Sequence, residues 1–244
     1  MRNIKLVISY DGTRYAGWQN QKNAVSIQET IEAAVAKITG KHTNVIASGR
    51  TDAGVHAAAQ VANFRTSSQI PLDKLQMALN TALSKDIVIY RIEEVGQDFN
   101  AQRSAKSKIY RYTIANSNFV DPFIRHFAAK CFFKLDVKKM RKAASCLKGR
   151  HDFKSFQATD VKERSSVRTL KNIKIVKSGS LVYIYMEADG FLYNMARNIA
   201  GTLVEAARGK IAPEYVKEIL KKRNIRFSGP TMPARGLCLM EVKY

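Results

Sequence analysis

The chain has 244 residues, 45% hydrophobic and 25% charged, a balance that excludes a disordered or fibrous class and gives room for one large domain or two small ones. Its 41 Lys and Arg against 20 Asp and Glu leave a net charge of +21, which favours a polyanionic partner, most often a nucleic acid. No apolar run approaches the roughly 18 residues of a membrane span, and Met1 runs into "NIKLVISY" with neither a signal-peptide nor a transit-peptide pattern.

Asn3 to Tyr10 alternates, with Ile4, Leu6, Ile8 and Tyr10 on one face of a strand. "SIQETIEAAVAKITG" reads as a helix: Ser26 and Glu29 form a capping box, Ile27, Ile31, Ala34 and Ile38 share a stripe, and Gly40 ends it. Strands at 43–48 and 56–65 flank "GRTDAGVHA", and a helix at 71–84 starts on Pro71 with Leu72, Leu75, Leu79 and Leu83 inward. "DIVIYRIEEV" (86–95) completes a βαββαβ order, the ferredoxin-like pattern. The second half nearly repeats it. A strand at 108–115 precedes a helix at 136–148 with Val137, Met140, Ala144 and Leu147 inward, then strands around 168–178 and 181–189. A helix at 192–208, a shorter one at 213–222 and a last strand, "GLCLMEVKY", finish the chain. The fold class is therefore α+β, with two ferredoxin-like halves, 1–103 and 104–244, whose mixed or antiparallel sheets abut around a central cleft where a ligand would sit.

The chemistry-bearing residues are few. Cys131, Cys146 and Cys238 are scattered with no CxxC pair, which reads as reduced thiols in a cytoplasmic protein and argues against structural zinc. HExxH-type metal clusters are absent, and His42, His56, His126 and His151 are isolated from any triad-like arrangement. Asp52 lies in a tight loop between two strands, with the cation of Arg50 two residues away to hold it ionised; the plain alternative is a turn-forming Asp. His56 opens a strand in an apolar context and reads as a packed histidine rather than a base. His151 and Asp152 in "GRHDF" either position RNA or form a turn, and the turn is the simpler reading.

"YDGTRYAGWQNQ" (10–21), "GRTDAGVHA" (49–57), "KSKIYRYTI" (106–114), "GRHDF" (149–153), "FLYNMARNIAGTL" (191–203) and "MPARGLCLMEVKY" at the end resemble, in order, the signature blocks of the tRNA pseudouridine synthase A family. The resemblance implies the pseudouridine synthase fold and an isomerase that converts uridine to pseudouridine in the tRNA anticodon stem-loop, at nucleotides 38, 39 and 40. It implies no cofactor and no metal, a cytoplasmic homodimer, and tRNA as partner. Residue by residue, it makes Asp52 the nucleophile, Tyr110 the ring that stacks on the target uracil, and Arg197 the cation paired with Asp52. Arg50 becomes the RNA-contacting residue that keeps the flipped base out of its helix. The physics agrees: a base must leave its stack before its glycosidic bond is reached, so the pocket needs a π-face and a replacement charge. Alternation along the strand puts Tyr110 and Tyr112 on one face, opposite Ile109 and Arg111. The chain departs from the family pattern at Gln102, where Arg is usual, at Ala196 for Val and at Ser48 for Ala; none is a catalytic group. A rival reading, tandem RNA-recognition modules, would need an RNP1 string that is missing and leaves Asp52 unexplained.

Overall fold

The computed structural model describes residues 1–158 and 165–244. The chain divides into two compact units, one built from residues 1–106 with 239–244 and the other from residues 107–238.

The first unit carries β1 (Arg2–Tyr10), α1 (Ile27–Thr39), β2 (Ile46–Ala47), β3 (His56–Thr66), α2 (Leu72–Ala82) and β4 (Ile87–Val95). That is the expected βαββαβ order, although β2 is only two residues long where 43–48 was expected. β1 is the middle of an antiparallel trio, running from Arg2 opposite Thr66 to Tyr10 opposite Ala57 on β3, and from Asn3 opposite Val95 to Tyr10 opposite Ile87 on β4. Its alternation buries Ile4, Leu6, Ile8 and Tyr10. α1 starts on Ser26, whose hydroxyl accepts from Glu29 N at 3.1 Å, and ends on Gly40. It buries Ile27, Ile31 and Val35, and α2 buries Leu75 and Leu79.

The second unit holds β5 (Ser107–Ala115), β6 (Ala129–Lys130), α3 (Val137–Ser145), β7 (Gly149–Asp152), β8 (Val167–Ser178), β9 (Leu181–Ala188), α4 (Met195–Ala207) and α5 (Val216–Lys222). Its strands run in the order β5-β9-β8-β7, antiparallel throughout, with the short β6 parallel to β5. The turn expected at His151 and Asp152 is a strand: β7 pairs with β8 from Gly149 opposite Leu170 to Asp152 opposite Val167. Four residues are too few for alternation to show, and the partner strand supplies what the local sequence lacks. α3 buries Met140, Ala143 and Ala144, while α4 is buried on nearly all sides.

The last strand, β10 (Leu237–Lys243), ends beside β3. Lys106 N donates to Lys243 O, the Tyr244 hydroxyl donates to Ala101 O at 2.9 Å, and the Tyr244 ring packs against Phe99 with the Lys5 ammonium over both rings. Among the described residues no helix is long and apolar enough to cross a membrane, and no three His, Cys, Asp or Glu side chains group to hold a metal ion.

Candidate active site

The loop between β2 and β3 is held mainly through its backbone. Trp18 N donates to Thr51 O at 3.0 Å, Gly54 N to Tyr15 O at 3.3 Å and Val55 N to Asp52 O at 3.1 Å. The Thr51 hydroxyl shares a buried 2.8 Å hydrogen bond with the Tyr10 hydroxyl. Downstream of the loop, Gln60 is fully buried on β3 and ties the loop's start: it accepts from Ser48 Oγ at 2.7 Å and donates to Gly49 O at 2.9 Å. The segment at Tyr15–Trp18 lies so close that a Cβ on Gly17, which has φ of +95°, would stand 2.5 Å from Thr51 O. Asp52 thus sits half-buried on a clamped loop, and Arg50 on the same loop is exposed. The "YDGTRYAGWQNQ" block accordingly serves as the brace of the Asp52 loop. His56 is buried and takes the N–H of Gly12 on Nδ1 at 3.1 Å, a packed and hydrogen-bonded histidine. Asp11 Oδ1 lies equally near that nitrogen. Nδ1 cannot both accept from Gly12 and carry a proton for Asp11, so the two contacts belong to different tautomers or protonation states of the ring.

In the second unit, Tyr110 and Tyr112 are both buried on one face of β5. The ring of Tyr110 meets Phe191 edge-on, with centroids 4.9 Å apart. Tyr112 donates its hydroxyl to Pro233 O at 2.8 Å, and burial pushes that phenol well above the ordinary tyrosine range, with Arg197 and Arg235 pulling the other way. Two residues before Tyr110, Lys108 is lowered by burial, with a smaller push from the charge of Arg168.

Arg197 projects from the first turn of α4. Its Nε donates to Met232 O at 2.7 Å and its Nη1 to Asn194 Oδ1 at 2.8 Å. Asn194, just before the helix, adopts a left-handed backbone with φ of 60°. The 229–233 segment is laid along α4: Gly229 N donates to Thr202 Oγ1, Thr231 Oγ1 to Asn198 Oδ1, and Asn198 Nδ2 to Phe156 O. At Gly201 the two backbones touch, since a Cβ there would lie 1.9 Å from Pro230 O. The neighbouring carbonyls of Met232 and Pro233 therefore bring Arg197 and the tyrosine face of β5 together. Sequence reasoning placed Asn194, Met232 and Pro233 inside motif blocks but gave none of them a role. The signals for them were faint: an Asn just ahead of a helix, and a Pro-bracketed "GPTMPARG" in a chain with five prolines.

The remaining candidates have structural work. Asp152 takes Lys154 N at 3.0 Å, Ser166 Oγ at 2.5 Å and Arg223 Nη2 at 3.1 Å, while His151 Nε2 lies 3.0 Å from Lys148 O. Gln102 and Arg103 are exposed just beyond β4.

A family model described as tRNA pseudouridine synthase matches residues 6–104 and 143–244. The chain is 46% identical over 244 residues to tRNA pseudouridine synthase A of Acetivibrio thermocellus, with all of both chains covered. The protein of the same name from Thermoanaerobacter sp. strain X514 is 45% identical over the same full length. One called tRNA pseudouridine synthase A 2, from Clostridium perfringens, is 46% identical, again end to end. With identity of this order over the whole chain, and a family model whose matched ranges span the Asp52 loop and the Arg197 turn, the protein belongs to the tRNA pseudouridine synthase family.

Proposed function

We propose that the protein isomerises uridine to pseudouridine in tRNA, at nucleotides 38, 39 and 40 of the anticodon stem-loop. The observation that supports this best is the family match over the full chain, read together with a carboxylate on a loop too tightly braced to be an ordinary turn. In this reading Asp52 is the nucleophile that opens the C1′–N1 glycosidic bond. The uracil rotates and rejoins C1′ through C5, the bond to Asp52 breaks again, the C5 proton leaves to solvent and N1 takes a proton in its place. No electron, phosphate or metal ion enters that balance, so no cofactor is required. Tyr110 stacks on the extruded uracil, Arg50 takes the place the base has left, and Arg197 pairs with Asp52 to keep it ionised as the surroundings dry. The residues come from both halves of the sequence, 1–103 and 104–244. The enzyme works in the cytoplasm as a homodimer.

The test is tritium release from tRNA carrying 5-tritiated uridine, run with and without EDTA. Release in both conditions is expected, together with pseudouridine at the three anticodon-arm positions. An absence of release overturns the enzymatic reading, and release only without EDTA overturns the metal-free one.

A further inference from the structure

Lys108 is the polar end of an otherwise apolar row. It stands opposite Ala188 on β9, which stands opposite Leu170 on β8, and both of those partners are fully buried. Neither can offer a counter-charge. Glu187 and Asp189, on either side of Ala188 in sequence, accept instead from Ser107 Oγ and Thr169 N, each at 2.9 Å. Among the described residues the Lys108 ammonium has no hydrogen-bond or ion-pair partner, although the side chain is half-buried. Burial, and then the charge of Arg168, hold its pKa below the ordinary lysine value. Arg168 is itself fixed in place. Its Nη1 donates to Ser165 O at 2.9 Å and Val167 O at 2.8 Å, and its stem lies against Gly190, where a Cβ would stand 3.2 Å from Nε. The next residue, Phe191, is the one that meets the Tyr110 ring edge-on. Tyr110 follows Lys108 by two residues on β5, on the same face and about 7 Å along the strand.

We propose that Lys108 and Arg168 form a site for one backbone phosphate of the RNA, at a linkage flanking the uridine that stacks on Tyr110. The inference rests on the tRNA reading above and adds an anion site to the residues named there. A cation drawn out of water without a counter-charge is costly, and buried charges are paired as a rule. Here the substrate brings the counter-charge. An ammonium on a flexible stem and a planar fork held by carbonyls suit a phosphate, whose oxygens accept several charge-assisted bonds at once. The place suits it too. An extruded nucleotide sends its base into the pocket while its backbone stays outside, so a phosphate falls beside the stacking ring rather than on it. Lys108 reaches that place along β5, and Arg168 reaches it across Gly190 and Phe191. The alternative is a lysine stem that covers apolar surface with its ammonium in water. Such a residue would show no coupling to any one phosphate.

The experiment measures tRNA affinity against KCl concentration for the full chain, Lys108→Met and Lys108→Arg, with circular dichroism to confirm folding. Lys108→Met keeps an apolar stem and drops the charge, and should bind at least about ten-fold more weakly at low salt. Its log–log salt slope should be shallower by about 0.7–0.9, the share of one phosphate contact. Lys108→Arg should restore most of both. The same tRNA is then made with a neutral methylphosphonate at the linkage on either side of uridine 39. One of the two should weaken the unaltered chain by the same factor and weaken Lys108→Met no further, since a contact already lost cannot be lost twice. Amine-selective labelling of the unaltered chain needs no variant, and decides the matter if Lys108→Met does not fold. Lys108 should be shielded by the unmodified tRNA and stay reactive with that methylphosphonate tRNA. An unchanged slope in a folded Lys108→Met, effects that add for both linkages, or labelling indifferent to the linkage overturns the site. Tritium release is scored on the unaltered chain. If it fails while the coupling holds, the enzymatic reading falls and the phosphate site stands; no tRNA binding at all overturns both.

Discussion

Arg197 reaches back from α4 to give its Nε to the carbonyl of Met232 at 2.7 Å, while Nη1 holds Asn194. Two hydrogen bonds in the plane of one guanidinium fix its tilt as well as its position, which an ammonium on a flexible stem cannot reproduce. Arg197→Lys should therefore lower turnover by about ten- to a hundred-fold, the worth of one hydrogen bond to a charged group. Affinity for tRNA should stay near that of the unaltered protein. On the proposed pairing of Arg197 with Asp52, the acidic limb of the pH–rate profile should move upward. Unchanged turnover with an unshifted limb would remove Arg197 from the mechanism.

Asp52→Ala should abolish tritium release and keep tRNA binding, with a log–log salt slope of several units in both proteins. Loss of binding and chemistry together in a folded variant would make Asp52 a scaffold residue.

Tyr110 separates stacking from proton transfer. A stacked base is worth about 1–3 kcal/mol per ring, so Tyr110→Ala should be crippled. Tyr110→Phe keeps the ring and its edge-on contact with Phe191, and should keep most of the activity. A Phe variant as inactive as Ala would require a role for the hydroxyl.

Gly17→Ala tests the brace. Its Cβ would press on Thr51 O from 2.5 Å in a backbone region hostile to side chains, so the loop must shift. The expected result is a fall in kcat that exceeds any rise in KM, with tRNA affinity retained. A variant with unaltered kcat and a lowered melting temperature would show that the contact serves stability alone.

The buried hydroxyl of Tyr112 carries an alkaline signature. Its phenol ionises later in the folded protein than in the unfolded chain, where the value is about 10, because burial disfavours the phenolate. The resulting stability is fully present below pH of about 10 and is lost as pH rises beyond it. Tyr112→Phe, which also forfeits the bond to Pro233 O, should cost about 1–2 kcal/mol at neutral pH and flatten the alkaline fall. Urea midpoints at pH 7 and at high pH measure both, and parallel curves for the two proteins would contradict the assignment.

The first unit was legible because its signals are local. β1 alternates at period two, α1 has a capping serine and a closing glycine, and α2 shows leucines at helical spacing; each survives in the structure, although Ile38 and Leu72 are only half-buried and Leu83 falls just past the end of α2. β7 was not legible, since four residues show no period and the strand exists through its pairing with Val167–Leu170. The Asp52 loop could be found as an odd stretch, but its rigidity comes from Tyr10, Tyr15 and Trp18, more than thirty residues upstream. Likewise Arg197 could be found from its motif. The carbonyl that holds it belongs to residue 232, and nothing local to either residue announces the pairing.

The return of residues 239–244 to the first unit has a consequence for how the chain is made. Synthesis proceeds from the amino terminus at about 5–20 residues per second, and domains commonly fold as they emerge from the ribosome. Here residues 1–106 emerge first and still lack the strand that lies beside β3 and the Tyr244 ring that packs on Phe99. More than 130 residues, the whole second unit among them, are translated before that strand exists. The unit that carries Asp52 is thus begun before the second unit and completed after it, by residues 239–244.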